Sequence, residues 1–264
     1  MREKKDAILV VTIATMLLLP ALPAFASPAL AVVHHPMIRS GTSTSTNWSG
    51  YAVLGPVGSV TDVKGSWIVP AIQGTCPSQN QYSSHWVGID GDTSKTVEQT
   101  GTDSDCQNGA PVYYVWYEFY PHPSYLVTGM TVHSGDYIKA EVSYVSGKFA
   151  VTITDTTTGK TFSTSTKVNS AQRNSAEWIT EAPWSGGVLP LADFGTISWG
   201  VDYTHAASTN YATVSGTTGP VGSFPSSHLD VITMVTSGGA PKASPSGLSS
   251  DGTSFTVTWS SSGP

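Results

Sequence analysis

The chain has 264 residues, 39% of them hydrophobic and only 11% charged, with 12 Lys and Arg against 18 Asp and Glu and a formal charge of −6. An acidic surface this poor in cations argues against nucleic acid as a partner, because phosphate binding needs clustered Lys and Arg. In acid, where carboxylates are neutral, so few cations generate little self-repulsion, and the composition suits acidic surroundings.

Residues 1–26 read as an export signal: Arg2, Lys4 and Lys5 form a basic head, residues 7–22 an apolar run, and Ala24-Phe25-Ala26 a small-x-small cleavage site. The run is interrupted by Pro20 and falls short of the roughly 20 apolar residues of a membrane span. A secreted protein is expected, free of the membrane once the signal is cut. Removing the signal leaves 9 basic and 16 acidic residues, a formal charge of −7. Residues 27–46 are rich in Pro, Ser and Thr without a sustained period, so they read as a linker or short pro-segment. Within them His34-His35 reads as a solvated pair. The folded domain is expected over 47–264, and Asn47-Trp48-Ser49 matches a glycosylation sequon.

From Asn47 onward the β signals are nearly continuous. Candidate strands cover 48–54, 60–69, 84–89, 96–100, 112–120, 130–133, 136–145, 148–155, 160–167, 176–181, 196–202, 230–235 and 254–259, separated by Gly, Pro, Asn and Ser clusters. Residues 238–250 look like a linker before a last strand that returns to the body. Strand-plus-turn spacing of about 8–12 residues favours a single all-β sandwich or barrel over alternating β/α units. Two cysteines in an exported chain, Cys76 and Cys106, 30 positions apart, read as one disulfide. A loop of that length contributes about 3–4 kcal/mol through lost chain entropy.

Three stretches concentrate polar groups where packing is expected. Residues 84–103 (SHWVGIDGDTSKTVEQTGTD) turn at Asp90-Gly91 between two β-type runs. In residues 112–120 (VYYVWYEFY), alternation puts Tyr114, Trp116, Glu118 and Tyr120 on one face. A carboxylate among aromatics is costly unless it reaches water, a partner or a substrate. Residues 174–181 (NSAEWITE) add Glu177 and Glu181, which share a face on a strand and equally at i and i+4 on a helix, so parity does not choose between them. Paired carboxyls beside Trp and Tyr fit two enzymes: a glycosidase with an acid and a nucleophile or base, or a peptidase in which one Glu activates water and a neutral donor holds the oxyanion.

NWSGY (47–51), WVGIDGDTS and VEQTGTD (86–103), WYEFYP (116–121), NSAEWITE (174–181) and ADFGTISW (192–199) occur in the order found in the glutamic peptidases, and in this the chain resembles the eqolisins. The bacterial style of the signal points to a prokaryotic branch. The resemblance implies a two-sheet antiparallel β-sandwich of concanavalin A-like, jelly-roll type, working as a monomer on protein or peptide substrates without metal or cofactor. It implies a catalytic dyad of Gln99 and Glu181, a choice the residues alone do not make. It assigns Trp48, Trp86, Glu118 and Tyr120 to the substrate cleft, and Asp90 and Asp103, with Glu118, to hydrogen bonding around the dyad. A turn-stabilising role for Asp90 has equal standing. Ala182-Pro183-Trp184 departs from the family's acidic-aromatic pair, which changes the local loop and the subsite preference. The rivals are a jelly-roll glycoside hydrolase using two of Glu118, Glu177 and Glu181, and a non-catalytic lectin-like module. No H-E-x-x-H stretch, G-x-S-x-G elbow, phosphate loop or dinucleotide fingerprint is present.

Overall fold

The computed structural model describes residues 30–263, so the export-signal expectation lies outside the described residues. In chain order the strands are β1 (Arg39–Gly41), β2 (Thr44–Ser45), β3 (Trp48–Leu54), β4 (Val60–Ile68), β5 (Ser84–Ile89) and β6 (Val97–Gln107). They continue with β7 (Ala110–Tyr120), β8 (Tyr125–Leu126), β9 (Tyr137–Val145), β10 (Lys148–Asp155), β11 (Lys160–Thr166) and β12 (Ser175–Glu181). The last six are β13 (Thr196–Trp199), β14 (Tyr211–Val214), β15 (Thr217–Pro220), β16 (Leu229–Val235), β17 (Pro241–Pro245) and β18 (Phe255–Trp259), with one helical turn, α1 (Val201–Thr204), after β13.

Two sheets face each other, antiparallel except for the short parallel pairing of β2 with β16. The front sheet runs β16–β3–β12–β5–β6–β7–β8. The back sheet runs β11–β10–β9–β4, and the far edge of β4 is shared by β14 and β13, with β18 and β17 beyond. The end of β16 leaves the front sheet to pair with β17 in the back one, which joins the two layers. Val87, Ile89, Val115 and Trp178 from the front sheet pack on Val63, Trp67, Ile138, Val151 and Ile153 from the back one. Strand β10 shows the sandwich pattern plainly, with every second residue buried.

The front sheet departs from that pattern, because all residues of β5 and of β12 are buried, on both faces. Its outer face carries a second apolar cluster of Trp48, Ala52, Trp86, Val97, Trp116, Ile179 and Ile232, against which Leu30 and Met37 pack. The cover is therefore residues 30–38, part of the segment expected to be a linker or short pro-segment. The disulfide Cys76–Cys106 joins the loop before β5 to the end of β6.

Several boundaries differ from expectation. Residues 130–133 form no strand: Met130 and Val132 are buried as a covering loop without a ladder partner. The strand expected over 196–202 stops at Trp199, where Gly200 takes φ 99° and the chain turns into α1. Five of the 13 residues of the supposed linker 238–250 are β17, which bridges β16 and β18. The sequon is unusable, since Asn47 is buried with its amide bonded to the backbone carbonyls of His35 and Pro36.

Candidate active site

Directly paired residues in a sheet project to the same side. The register therefore builds three rows across the outer face of the front sheet. One is Glu118–Gln99–Gly88–Glu177, the next Trp116–Gly101–Trp86–Ile179, and the third Tyr114–Asp103–Ser84–Glu181–Trp48. Gln99 and Glu181 thus share one face, on strands separated by β5. Trp86 of β5 lies between them, and two glycines make room for it. A Cβ at Gly101 would stand 2.6 Å from the Trp86 Cβ and 2.3 Å from the His85 carbonyl, and one at Gly88 would stand 2.9 Å from the Trp86 ring.

The polar atoms are organised around the two sequence-predicted dyad members. Trp86 donates its indole N–H to Glu181 Oε2 at 2.9 Å, and Asn47 Nδ2 lies 3.5 Å from Glu181 Oε1. Gln99 Nε2 donates to Glu118 Oε2 at 3.0 Å and to the His34 backbone carbonyl at 2.8 Å. Asp103 accepts from Trp116 Nε1 at 2.6 Å and from the Tyr114 hydroxyl at 2.8 Å, which ties β6 to β7 beneath the cleft.

Burial dominates the electrostatics. It pushes the Glu181 carboxyl well above the usual carboxylate range, aided by nearby Glu118 and Asp103 and opposed by the Trp86 and Asn47 donors. Asp103 is raised to about 7 by burial, against hydrogen bonds from Tyr114, Ser84 and Trp116. Glu118 is also raised by burial, with His34 and Gln99 working the other way. Burial lowers the His34 imidazole despite Glu118 beside it. Covered as it is, the cleft favours neutral groups throughout.

The other expected residues fall as follows. Trp48 packs edge-on against Trp86, ring centroids 4.8 Å apart, and its indole N–H meets the His35 carbonyl at 3.0 Å. Tyr120 stands edge-on to the His35 ring at 5.4 Å. Asp90 lies outside the cluster. At φ 74° it accepts the backbone N–H groups of Gln172, Arg173 and Asn174 at 2.7, 2.8 and 2.9 Å, bracketing the loop that enters β12. The structural one of its two sequence readings is the nearer, but the backbone that Asp90 holds is the distant loop 172–174 and not its own turn. Glu177 shares the cleft face but hydrogen-bonds to neither dyad residue. The Ala182-Pro183-Trp184 departure forms a short hairpin, Trp184 bridging to Val188 and to Val33.

Sequence reading gave no role at the site to three participants: Asn47, read as a sequon and as part of NWSGY, Ser84, and His34. The supposedly solvated His34 is wholly buried, stacked on Trp116 with centroids 3.4 Å apart and planes 3° from parallel. Flat stacking and a Ser84 partner at 3.1 Å compensate its desolvation. Nothing in a Pro/Ser/Thr-rich stretch signals such a contact.

A profile of the peptidase A4 family matches residues 46–247. Aspergillopepsin-2 of Aspergillus niger is 32% identical over 196 residues, 65% of this chain and 67% of that protein. Scytalidopepsin B of Scytalidium lignicola is 30% identical over 177 residues, 64% of this chain and 65% of that protein. The matched region thus spans about two thirds of each curated relative. Among solved structures, scytalido-glutamic peptidase with a transition state analog inhibitor superposes with a TM-score of 0.66 and 25% identity, covering 81% of this chain and 98% of that one. Aspergilloglutamic peptidase from Aspergillus niger gives 0.56 and 31%, covering 68% and 99%.

Proposed function

The chain belongs to the peptidase A4 family, the glutamic peptidases, and from that membership we propose that it is a secreted acid endopeptidase working through Gln99 and Glu181. The observation that carries the reading is the Gln99 amide, which donates to a peptide carbonyl at 2.8 Å on the sheet face it shares with Glu181. An amide NH₂ has two donors. Glu118 takes one at 3.0 Å, leaving the other for the carbonyl oxygen of a bound peptide.

In this reading bound substrate and its water rehydrate Glu181 and relieve the burial that raises its pKa, and as carboxylate it takes a proton from the water attacking the scissile carbonyl carbon and returns it to the leaving amine. Gln99 donates to the oxygen on which negative charge develops. An amide does not titrate, so the pair avoids the like-charge repulsion that splits two neighbouring carboxyls. Trp86 and Asn47 keep Glu181 oriented, and Trp48 and Tyr120 wall the cleft. Substrates are proteins or peptides in extended form.

The test is digestion of denatured casein across pH by wild type, Glu181→Gln and Gln99→Ala, with a panel of polysaccharides alongside. The expected result is casein hydrolysis in acid that both substitutions suppress. Polysaccharide cleavage without proteolysis would move the assignment to the glycosidase reading, and unimpaired proteolysis in both variants would remove the dyad.

A further inference from the structure

Strand β6 buries an acidic pair of which the mechanism uses neither member. Asp103 and Asp105 stand two positions apart, on one side of the strand, and both are wholly buried. Tyr114, the register partner of Asp103 on β7, places its hydroxyl oxygen 2.8 Å from Asp103 Oδ2 and 2.9 Å from Asp105 Oδ2. Among the described residues no Lys or Arg forms an ion pair with either carboxyl.

A phenol has one hydrogen to give, and burial raises Tyr114 well above its ordinary value, so it keeps that hydrogen. Both contacts have hydrogen-bond length. Tyr114 therefore donates in one of them, and the other needs a hydrogen on the carboxyl. The remaining donors say which carboxyl holds it. Asp103 also receives Trp116 Nε1 at 2.6 Å and a hydrogen bond from Ser84, a set of donors suited to an acceptor. Asp105 has the Ser83 N–H at 3.0 Å on Oδ1 and shares Oδ2 with the Gln107 amide at 2.9 Å. Burial, with Asp103 beside it, raises the Asp105 carboxyl well above the usual range. The order of donation is thus Asp105 to Tyr114 and Tyr114 to Asp103. From there the row continues Asp103–Ser84–Glu181, so Asp103 lies two strand spacings, about 10 Å, from the Glu181 strand. The ionisable groups facing the cluster are His34 of the covering segment, with Nε2 3.7 Å from Asp103 Oδ1, Glu181 on β12, and Tyr82, which shares a cavity of about 340 Å³ with Gln107 and Tyr114.

We propose that Asp105 works as a neutral acid whose carboxyl donates to Tyr114 and through it fixes Asp103 against Trp116 and Ser84 at the edge of the Glu181 row, which makes Asp105 and Tyr114 positioning residues for the reaction. The inference rests on the Gln99/Glu181 reading. Held this way, the pair forms at most one charge, and that charge falls on Asp103. Asp103 is raised to about 7 by burial, with the Tyr114 donor working the other way. Its ionisation adds a negative charge near Glu181, favours the neutral form of that base and so lowers activity toward neutral pH. A charge on Asp105 as well would leave the Tyr114 oxygen with one hydrogen between two anions and break the bridge.

The test compares Asp105→Asn, Asp105→Ala and Tyr114→Phe with wild type in the secreted protein, by casein hydrolysis across pH, with circular dichroism to establish that each is folded. A carboxamide keeps the donor to Tyr114 and the acceptor for Ser83 but cannot ionise. Asp105→Asn should therefore stay within about threefold of wild type, while Asp105→Ala loses about tenfold or more in kcat/KM, the size of one lost hydrogen bond. Tyr114→Phe takes a donor from the Asp103 anion, so the pH at which activity falls should move up by about one unit. At neutral pH the infrared spectrum of wild type should contain a carboxylic-acid C=O stretch that Asp105→Asn lacks. Should Asp105→Ala not fold, Tyr114→Phe and the infrared comparison decide alone. Equal losses in the Asn and Ala variants, an unmoved pH profile in Tyr114→Phe, or identical infrared spectra would overturn the neutral-acid role while leaving the dyad intact. Absence of proteolysis by wild type under all conditions would instead sink the functional reading, and the positioning role with it.

Discussion

Asp90→Ala separates two roles that the sequence alone leaves equal. Asp90 accepts three consecutive backbone N–H groups of residues 172–174, which lead directly into β12. A net worth of about 1 kcal/mol for each hydrogen bond, with Gln172 exposed enough to rehydrate, gives about 2–3 kcal/mol. Alanine at φ 74° adds about 1 kcal/mol of backbone strain. For a domain of this size each kcal/mol moves Tm by about 2–4 °C, so the loss should be about 6–16 °C. Asp90→Asn, which tolerates the left-handed conformation and keeps one acceptor oxygen, should lose less than half of that. Glu181 lies six residues beyond Ser175 along the strand, about 20 Å from the bracketed loop, so kcat well below Tm should stay within about threefold of wild type. Differential scanning calorimetry and casein kinetics on the same samples decide the matter. A Tm within 2 °C of wild type combined with a loss of activity above about tenfold would refute the bracket and restore Asp90 to the dyad's support.

Other outcomes follow from the same geometry. Gln99→Ala should lower kcat by about 10²–10³, the size of one oxyanion donor, with KM little changed, and Glu181→Gln should cost more; steady-state kinetics on a defined peptide check both. Stability should be greatest in acid and fall toward neutrality. Burial raises Asp103 and Asp62 to about 7 and Asp92 to about 6, above the roughly 3.9 of an unfolded Asp. The folded state therefore holds more protons than the unfolded one, and its advantage, complete below about pH 4, is lost as pH rises through 6–7. A Tm series from about pH 3 to 8 that rises toward neutrality would contradict this. Replacing both Cys76 and Cys106 by Ala should cost about 3–4 kcal/mol for the 30-residue loop, read from urea unfolding.

Much of the fold is legible locally. Alternation and turn residues place β3, β5 and β10 at their observed ends, because side-chain period and glycine or proline punctuation are encoded within a few residues. Short partners such as β14, β15 and β17 are not legible: their four or five residues carry no sustained pattern, and they are strands because β4 offers an edge to β14, β14 to β15, and β16 and β18 to β17. The motif order also placed Gln99 and Glu181 before any geometry did, through family resemblance rather than through any physical feature of a lone glutamine.

What the sequence by itself determined, then, is the layered β architecture, the single pair of cysteines and the residue types available for acid chemistry, all properties of local pattern and composition. The tertiary structure alone decided which carboxyl meets Trp86, that Asp90 serves a loop, and that His34 lies against Trp116. Each of these depends on contacts between residues some 80–95 positions apart in the chain. Such contacts follow from sheet register and from the desolvation of one particular cleft, and a periodicity read over ten residues carries no information about either.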